Sequence, residues 1–401
     1  MNIFKKIYCR VFQTAFRLAL PILPYREPNI LKSNEDIVNV LIENNVSSVL
    51  LVTDAGIYGL GLCDSLEKLL KKSKINVVVY KDTVPNPTTD NVDSALSLYK
   101  EQSCQAIIAF GGGSAMDCAK ATGARVVCPN KPLSKMKGVL KVGKALPLLI
   151  AIPTTAGTGS ETTLAAVITD SVTRHKYAIN DFPLIPKYAM LSAPLTVGLP
   201  KHITATTGMD ALTHAVEAYI GRSTTKDTRK HALDAVKLIF ENLLQAYEHG
   251  DDLVARENML IASYKAGLAF TKSYVGNIHA VAHTLGGKYN TPHGLANAVI
   301  MPHVLKKYGK TIYKKLYNMG VYAGLFSVDT PIEVGAKLFI EKIESLNEAM
   351  GIPTFIADLK AEDIPSLAVI AEKEANPLYP VPQIYSNKEL EDIYRSILNN
   401  K

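Results

Sequence analysis

Three histidines lie within fifteen residues of one another in the segment HAVAHTLGGKYNTPHG, which runs from His279 to Gly294. His279 and His283 are four positions apart, so on a helix their imidazoles share one face at a separation of about 5 to 6 Å. His293 follows a proline at the start of the next apolar run. A lone histidine is usually an ordinary core or surface residue. Three histidines at this spacing within apolar segments favour binding to one shared metal ion.

A second pair of candidate ligands, Asp210 and His214, occurs upstream in TTGMDALTHAVEAY with the same four-residue spacing. Two facing helices would offer one carboxylate and two or three imidazoles to a single ion, and the spacing alone leaves open which histidines bind it. Nitrogen and carboxylate ligands suit Fe(II) or Zn(II). No cysteine lies beyond Cys128, so the ligands in this half of the chain would not include thiolate.

The helices and strands that position these residues are expected to form two domains. A domain with a single hydrophobic core seldom exceeds about 250 to 300 residues, and this chain has 401. Charged residues make up 20% of the sequence, and no repeat or low-complexity tract is visible. The five cysteines are odd in number and show no CxxC pairing, which predicts a reduced, cytoplasmic protein.

The net charge of +7 does not predict nucleic-acid binding. Five basic residues and one acidic residue in the first 27 positions contribute +4 of this total, and the remaining body is nearly balanced. Because a basic stripe is missing from the sequence, we expect no nucleic-acid partner.

Residues 3–20, IFKKIYCRVFQTAFRLAL, predict an amphipathic helix that Pro21 and Pro24 end. The predicted apolar face comprises Ile3, Phe4, Ile7, Tyr8, Val11, Phe12, Ala15, Phe16 and Ala19. The predicted polar face comprises Lys5, Lys6, Arg10, Gln13, Thr14 and Arg17. The run is too short and too charged to span a bilayer or to be a signal peptide. It could dock on the protein or on a sister subunit, or lie on an anionic membrane surface.

From residue 28 the sequence alternates between helical and strand-like segments, which predicts an α/β domain with a parallel sheet. Buried strands are expected at 46–53, 75–80, 105–110 and 147–153, and three further runs, at 164–170, 175–180 and 188–192, are expected to extend the same sheet. A capping box at Ser33 and Asp36 is expected to open the first helix of this domain. Helical periodicity dominates after residue 200, with helices expected at 204–220, 226–248, 252–272, 331–349 and 386–399. The predicted organisation is therefore a basic arm at 1–27, an α/β domain at 28–196, and a bundle of seven to nine helices at 197–401.

Two loops at predicted strand ends favour a phosphate-bearing ligand. Gly111, Gly112 and Gly113 end the 105–110 strand and precede a helix starting at Ser114, where backbone amides would form an anion site. The loop TTAGTGSET, residues 154–162, follows the next central strand with small hydroxyls and glycines. Either loop alone could be an ordinary tight turn, but two in one domain predict a nucleotide.

When GGGSAMDCAK, PTTAGTGSE, GMDALTHAVEAY and HAVAHTLGGKYNTPHGLANAVIMPHV are taken together, the chain resembles the iron-containing (group III) alcohol dehydrogenases, which share a fold with dehydroquinate synthase and glycerol dehydrogenase. The resemblance covers about residues 28–399. It implies a Rossmann-like domain that binds a nicotinamide dinucleotide, an all-helical domain that binds a divalent metal, and a homodimer. Two departures are the Ser192–Ala193 pair, where the family usually has Asp-Pro, and the basic arm, which many members lack.

Matched position by position, the resemblance implies the metal ligands Asp210, His214, His279 and His293, and it places His283 beside the metal. The implied cofactor-binding residues are Asp54, Asn86, Pro87, Thr88, Gly111, Gly112, Gly113, Ser114, Asp117, Thr154, Thr155, Thr158 and Lys176. A carboxylate at Asp54, after the first central strand, can accept hydrogen bonds from ribose hydroxyls and would repel a 2′-phosphate, so NAD is expected over NADP.

The function implied is an NAD-dependent alcohol dehydrogenase that uses a divalent metal, with family resemblance favouring Fe(II) over Zn(II). It would interconvert small primary alcohols or diols and their aldehydes, with His283 or the cofactor ribose relaying the proton. A zinc-dependent polyol dehydrogenase is the alternative within the fold. A metal-dependent hydrolase would leave the two phosphate-type loops unexplained, and a non-catalytic, membrane-associated assembly protein is suggested only by the arm.

Overall fold

Nine strands form two sheets in the computed structural model, which describes residues 3–399. The strands are β1 Asn29–Leu31, β2 Ser48–Val52, β3 Asn76–Tyr80, β4 Ala106–Gly111, β5 Gly138–Val139, β6 Leu148–Pro153, β7 Ala165–Thr169, β8 Lys176–Asn180 and β9 Tyr188–Met190. The central sheet has the order β1-β9-β6-β4-β2-β3, and every pairing in it is parallel. Because β6, β4 and β2 are adjacent, the loops that follow them meet at one edge.

The prediction that the runs at 164–170 and 175–180 extend the central sheet is wrong. They form β7 and β8, an antiparallel pair that joins β5 in a separate three-stranded sheet. Their residues alternate between buried and more exposed positions, which is typical of a sheet with one covered face, whereas β2 and β4 are buried throughout. The short strand β1, which the sequence analysis did not anticipate, instead completes the central sheet beside β9.

Helices cover both faces of the central sheet. Following the amino-terminal helix α1 Ile3–Ala19, the helices of this region are α2 Asn34–Glu43, α3 Ala55–Gly59, α4 Asp64–Lys72, α5 Thr89–Glu101, α6 Gly113–Val127 and α7 Leu133–Met136. Apolar residues of α2 and α4 pack on one face, and those of α5 and α6 on the other. The predicted capping box is confirmed: Asp36 N donates to the Ser33 hydroxyl, and Ser33 N donates to the Asp36 carboxylate.

Two compact units divide the chain, one formed by residues 24–197 and the other joining α1 to the residues from 198 onwards. The second unit contains α8 Lys201–Ile220, α9 Lys226–Glu248, α10 Leu253–Ser273, α11 Asn277–Tyr289, α12 His293–Tyr308, α13 Tyr313–Tyr322, α14 Ile332–Ala349, α15 Ile364–Ala375 and α16 Asn387–Ser396. α8 is buried on all sides from Gly208 to Ile220. A Cβ at Gly208 would lie 2.2 Å from a Leu243 methyl, so glycine allows α8 and α9 to pack closely. The α/β and all-helical units confirm the predicted fold class.

The amino-terminal helix packs on the helical unit through the face opposite to the one its hydrophobicity suggests. Cys9 and Gln13 are buried, whereas Phe4, Val11 and Leu18 are exposed. Hydrophobic periodicity predicts the helix but not its orientation, because polar anchors fix it here. Within residues 3–399, every helix is too short or too polar to traverse a lipid bilayer.

Candidate metal centre

Three helices of the second unit bring four candidate metal ligands together. Asp210 and His214 lie one turn apart on α8, His279 lies on α11, and His293 is the first residue of α12. One ligand atom from each residue lies within 4.8 Å of those of the other three. The Asp210 carboxylate is 3.5 Å from His293 Nε2 and 3.8 Å from His279 Nε2. These are the four residues that the family resemblance implies, and they form one cluster of a carboxylate and three imidazoles.

The cluster is closed on most sides and open on one. The side chains of Asp210 and His279 are only 3% and 2% exposed, whereas that of His293 is 39% exposed. His214 is buried between two rings, with centroids 4.1 Å from Phe270 and 4.6 Å from His279. Solvent and a small substrate would therefore approach from the His293 side.

Asn297, one turn after His293, shows that the ligand lone pairs point inward. Its amide nitrogen lies 2.7 Å from the Asp210 carboxylate, 3.1 Å from His279 Nε2 and 3.2 Å from His293 Nε2. Because an amide nitrogen donates and does not accept, a ring nitrogen that bonds to one of its two hydrogens does so as an acceptor. The buried Oδ1 of Asn297 has no hydrogen-bond partner in the described part of the chain. Three acceptors that converge on one donor, beside an orphaned buried oxygen, fit a site for a cation.

Glu217 holds His279 in the tautomer that a metal needs. Its carboxylate lies 2.7 Å from His279 Nδ1, so Nδ1 carries the proton and Nε2 presents its lone pair to the cluster. The same carboxylate accepts from the backbone amides of Gly276 and Ile278, at 2.7 and 2.8 Å, and so satisfies the first turn of α11. Burial and the neighbouring histidines hold the pKa of His279 well below its usual range, so the ring is neutral.

His283, the candidate proton relay, lies on the open side and not among the ligands. Its ring is stacked on that of His293 with centroids 5.2 Å apart, and its side chain is 40% exposed. His283 Nδ1 lies 2.5 Å from the Glu374 carboxylate on α15, which also accepts a 2.8 Å hydrogen bond from the Tyr379 hydroxyl. Burial raises the pKa of Glu374, but these hydrogen bonds and the charge of His283 when it is protonated outweigh that effect and lower the pKa below the usual range. Glu374 is therefore an ionised acceptor that orients His283.

The sequence analysis missed Glu217, Asn297 and Glu374. Glu217 follows His214 by three positions and Asn297 follows His293 by four, so the helical spacing that suggested the ligands could also have identified both. Glu374 has no comparable signal, because it lies on another helix 91 positions from its partner.

The candidate dinucleotide loops meet at the edge of the central sheet where β2, β4 and β6 end. Gly111 has φ +149°, and a Cβ there would lie 2.8 Å from the Ala115 methyl, so the turn requires glycine. Thr154 N donates to the Gly111 carbonyl at 3.1 Å, which joins the glycine turn to the threonine-rich loop. A Cβ on Gly113 would lie 3.1 Å from Thr158, and one on Gly112 would lie 3.5 Å from Thr155. Asp54 borders the same turn.

Other predicted cofactor residues contact one another or stabilise local structure. Lys176 Nζ donates to the Asn86 carboxamide oxygen at 2.6 Å, and Asn86 N donates to the Ser114 hydroxyl at 3.3 Å. Two of the predicted residues have contacts that account for them structurally. Thr88 caps α5 through Asn91 N. The Pro87 carbonyl accepts from Thr169 N, joining its loop to β7.

Asp117 and Lys120 on α6 form hydrogen bonds that stabilise the threonine-rich loop. The Asp117 carboxylate accepts from the Ser160 hydroxyl at 3.1 Å and from Val167 N at 3.0 Å. Lys120, which the sequence analysis did not single out, is fully buried and donates to oxygens of Ser160, Thr163 and Ala165. These contacts make Asp117 a residue that shapes the loop.

Comparison with known proteins gives family matches over both units. Residues 29–193 match the family described as iron-containing alcohol dehydrogenase, and residues 204–398 match the Fe-containing alcohol dehydrogenase family, C-terminal. The 1,3-propanediol dehydrogenase of Citrobacter freundii is 38% identical over 350 residues, which cover 86% of this chain and 90% of that enzyme. The NAD-dependent methanol dehydrogenase of Bacillus methanolicus is 37% identical over 323 residues, covering 80% and 84%.

The fold is also similar to that of a solved structure. The crystal structure of a 1,3-propanediol oxidoreductase matches with a TM-score of 0.89 and 33% sequence identity, covering 93% of this chain and 98% of that one. The similarity therefore extends across the α/β unit and the helical unit.

Proposed function

The chain belongs to the iron-containing alcohol dehydrogenase family and is an oxidoreductase, and we propose that it interconverts small primary alcohols or diols and their aldehydes, using NAD and Fe(II). The observation that carries the proposal is the cluster of Asp210, His214, His279 and His293, in which the first three are buried and His293 is 39% exposed. A site closed on every side would be structural, whereas a catalytic site keeps one approach for substrate.

Asp210, His214, His279 and His293 would hold the metal. Three neutral imidazoles and one carboxylate would leave a divalent ion with a charge of about +1. A bound divalent metal supplies Lewis acidity, which makes an alcohol O–H more acidic and polarises an aldehyde carbonyl. The donor set accepts iron or zinc, and the family match favours iron.

His283 is the proposed proton acceptor during alcohol oxidation. Because Glu374 accepts the Nδ1 proton, Nε2 of the neutral ring is in the form that takes up a proton. The Glu374 carboxylate then stabilises the imidazolium that results. The exposed side chains of His283 and His293 lie side by side, which supports a common approach for substrate and proton.

Asp54 supports the choice of NAD. Its Oδ1 accepts from Ile57 N at 2.9 Å, and its Oδ2 lies 3.7 Å from the position of a Cβ on Gly111. A carboxylate beside the glycine turn accepts hydrogen bonds from ribose hydroxyls and repels a 2′-phosphate. The glycine turn and first amides of α6 would bind the pyrophosphate, and the Asn86–Lys176 pair would contact the cofactor beside it.

Small, uncharged alcohols fit the electrostatics of the open side. The Glu374 carboxylate lies beside His283 with a side chain 30% exposed, and it would repel carboxylate- or sulfonate-bearing substrates. The five cysteines are free and buried, which supports a reducing, cytoplasmic compartment.

The test is NADH absorbance with anaerobically purified protein across a panel of short alcohols, diols, aldehydes and aldehyde acids. Metal-free protein, Fe(II)-loaded protein and Zn(II)-loaded protein would be compared with NAD(H) and NADP(H). We expect NAD-linked turnover of uncharged substrates that Fe(II) restores. Equal turnover with Zn(II) on glycerol would instead support the polyol dehydrogenase. A folded, metal-loaded protein with no turnover would contradict the proposal and favour an assembly role.

A further inference from the structure

The outward face of α1 is a continuous apolar stripe with no partner in the described part of the chain. Phe4, Val11 and Leu18 recur every seven residues along one line of the helix and are 77%, 63% and 74% exposed. Ile7 and Tyr8 widen the stripe, at 53% and 59% exposure. A run of large exposed apolar side chains on one helix marks an interaction surface more often than scattered exposure does.

Buried polar contacts fix the helix in this orientation. Gln13 is 3% exposed, and its side-chain amide donates to the carbonyls of Tyr379, at 2.7 Å, and Pro377, at 3.2 Å. The Arg10 guanidinium donates to the carbonyls of Val381 and Pro382, at 2.7 and 2.8 Å. Turning the apolar stripe inward would break all four hydrogen bonds and leave buried carbonyls unpaired. These four hydrogen bonds therefore keep the apolar stripe exposed in the folded protein.

Cations line both edges of the stripe. Lys5, half exposed and paired with Glu372, lies on one edge, and exposed Arg17 lies on the other. Arg17 is close to a basic cluster on the helical unit: burial and the positive charges of Arg222, Arg229 and Arg17 lower the pKa of Lys315 to about 8. Arg222 and Arg229 are exposed. The surface beside Arg17 is therefore positive, whereas the charge of Lys5 at the other edge is balanced by Glu372.

We propose that α1 docks this protein on an anionic lipid surface. The apolar stripe would enter the boundary between headgroups and acyl chains, while Arg17 and the basic cluster beside it face the anionic headgroups. The hydrogen bonds of Gln13 and Arg10 would hold the helical unit in one orientation relative to the lipid surface. This inference does not depend on the substrate or the cofactor.

Vesicle co-sedimentation of the full chain tests the proposal. The vesicles would be phosphatidylcholine alone and phosphatidylcholine mixed with phosphatidylglycerol, each at low and high salt. The test variant is Phe4→Ser/Val11→Ser/Leu18→Ser. The matched control is Val172→Ser/Val254→Ser/Val328→Ser, at three valines that are 90%, 69% and 67% exposed elsewhere. Helix content and unfolding temperature confirm that both variants fold.

We expect the wild type and the control to sediment with the anionic vesicles, more weakly at high salt. The stripe variant should bind about tenfold or more weakly, because three large side chains no longer enter the lipid. Failure of the wild type to bind either vesicle, or an equal loss in the control, would overturn the proposal. A fall in oligomeric state of the stripe variant in sedimentation velocity, without vesicle binding by the wild type, would assign the stripe to a second copy.

Discussion

The metal centre and the loop edge of the central sheet place polar groups by different means. In the metal centre the ligand atoms belong to helical side chains that are mostly buried. Glu217 orients His279, and Asn297 donates to Asp210. At the loop edge the working atoms are mostly backbone amides around Gly111–Gly113, and Asp117 and Lys120 hold the loops from behind. A single substitution should therefore remove the function of the metal centre, but only retune the loop edge.

Removal of the anionic ligand should have the largest effect. Asp210→Asn deletes the charge that balances the metal, and loss of several kcal/mol of Lewis-acid stabilisation corresponds to about a thousandfold or more in kcat/KM. Metal content and kcat/KM should fall together, while NADH binding by fluorescence is kept. The exposed Asp251→Asn is the control. Full metal content with normal turnover in Asp210→Asn would show that this cluster is not the working site.

Loss of the residue behind a ligand should have an intermediate effect. Glu217→Gln keeps the size of the side chain but weakens the hold on the His279 tautomer, and such substitutions typically cost about 10- to 100-fold in metal affinity. Competition with a chromogenic chelator measures that affinity. An affinity equal to wild type would mean that Glu217 serves only to cap α11.

The third prediction concerns the proton relay. Glu374→Gln should lower kcat about tenfold and leave KM and metal content close to wild type, because Glu374 acts through His283 and not on the metal. Glu374→Asp should recover part of kcat if a carboxylate is what matters. A change confined to KM or to unfolding temperature would make Glu374 a purely structural residue.

The smallest effect is expected at the loop edge. Asp54→Gly should raise kcat/KM with NADP relative to NAD by a few fold, since the carboxylate that repels the 2′-phosphate is gone. Metal content should not change, which separates this edge from the metal centre. Initial rates with both cofactors measure the ratio, and an unchanged ratio would refute the assignment of Asp54.

Most of the metal centre could be predicted from the sequence because helical spacing is a local property. Asp210 with His214 lies on α8, and the family motif supplies His279 and His293. Glu374 could not be found this way, since the packing of α15 against α11 brings it to His283 and no local pattern encodes that packing.

Two features of the fold could not be predicted from sequence patterns, for other reasons. The runs that form β7 and β8 have strand-like sequences, but which sheet a strand joins depends on long-range pairing, and the short β1 gives almost no signal. For α1 the hydrophobic pattern gave the helix and its two faces. The buried hydrogen bonds of Gln13 and Arg10 then determined which face docks, against the usual preference for burying apolar surface.

The most direct test of the central claim is turnover measured against metal loading. Metal-free protein would be titrated anaerobically with Fe(II), and bound metal per chain and NAD-linked alcohol oxidation would be measured on the same samples, for wild type and Asp210→Asn. We predict that activity in the wild type rises in proportion to metal and levels off at one ion per chain, and that the variant neither binds tightly nor turns over. Full activity in metal-free wild type, or an identical titration in the variant, would contradict the account.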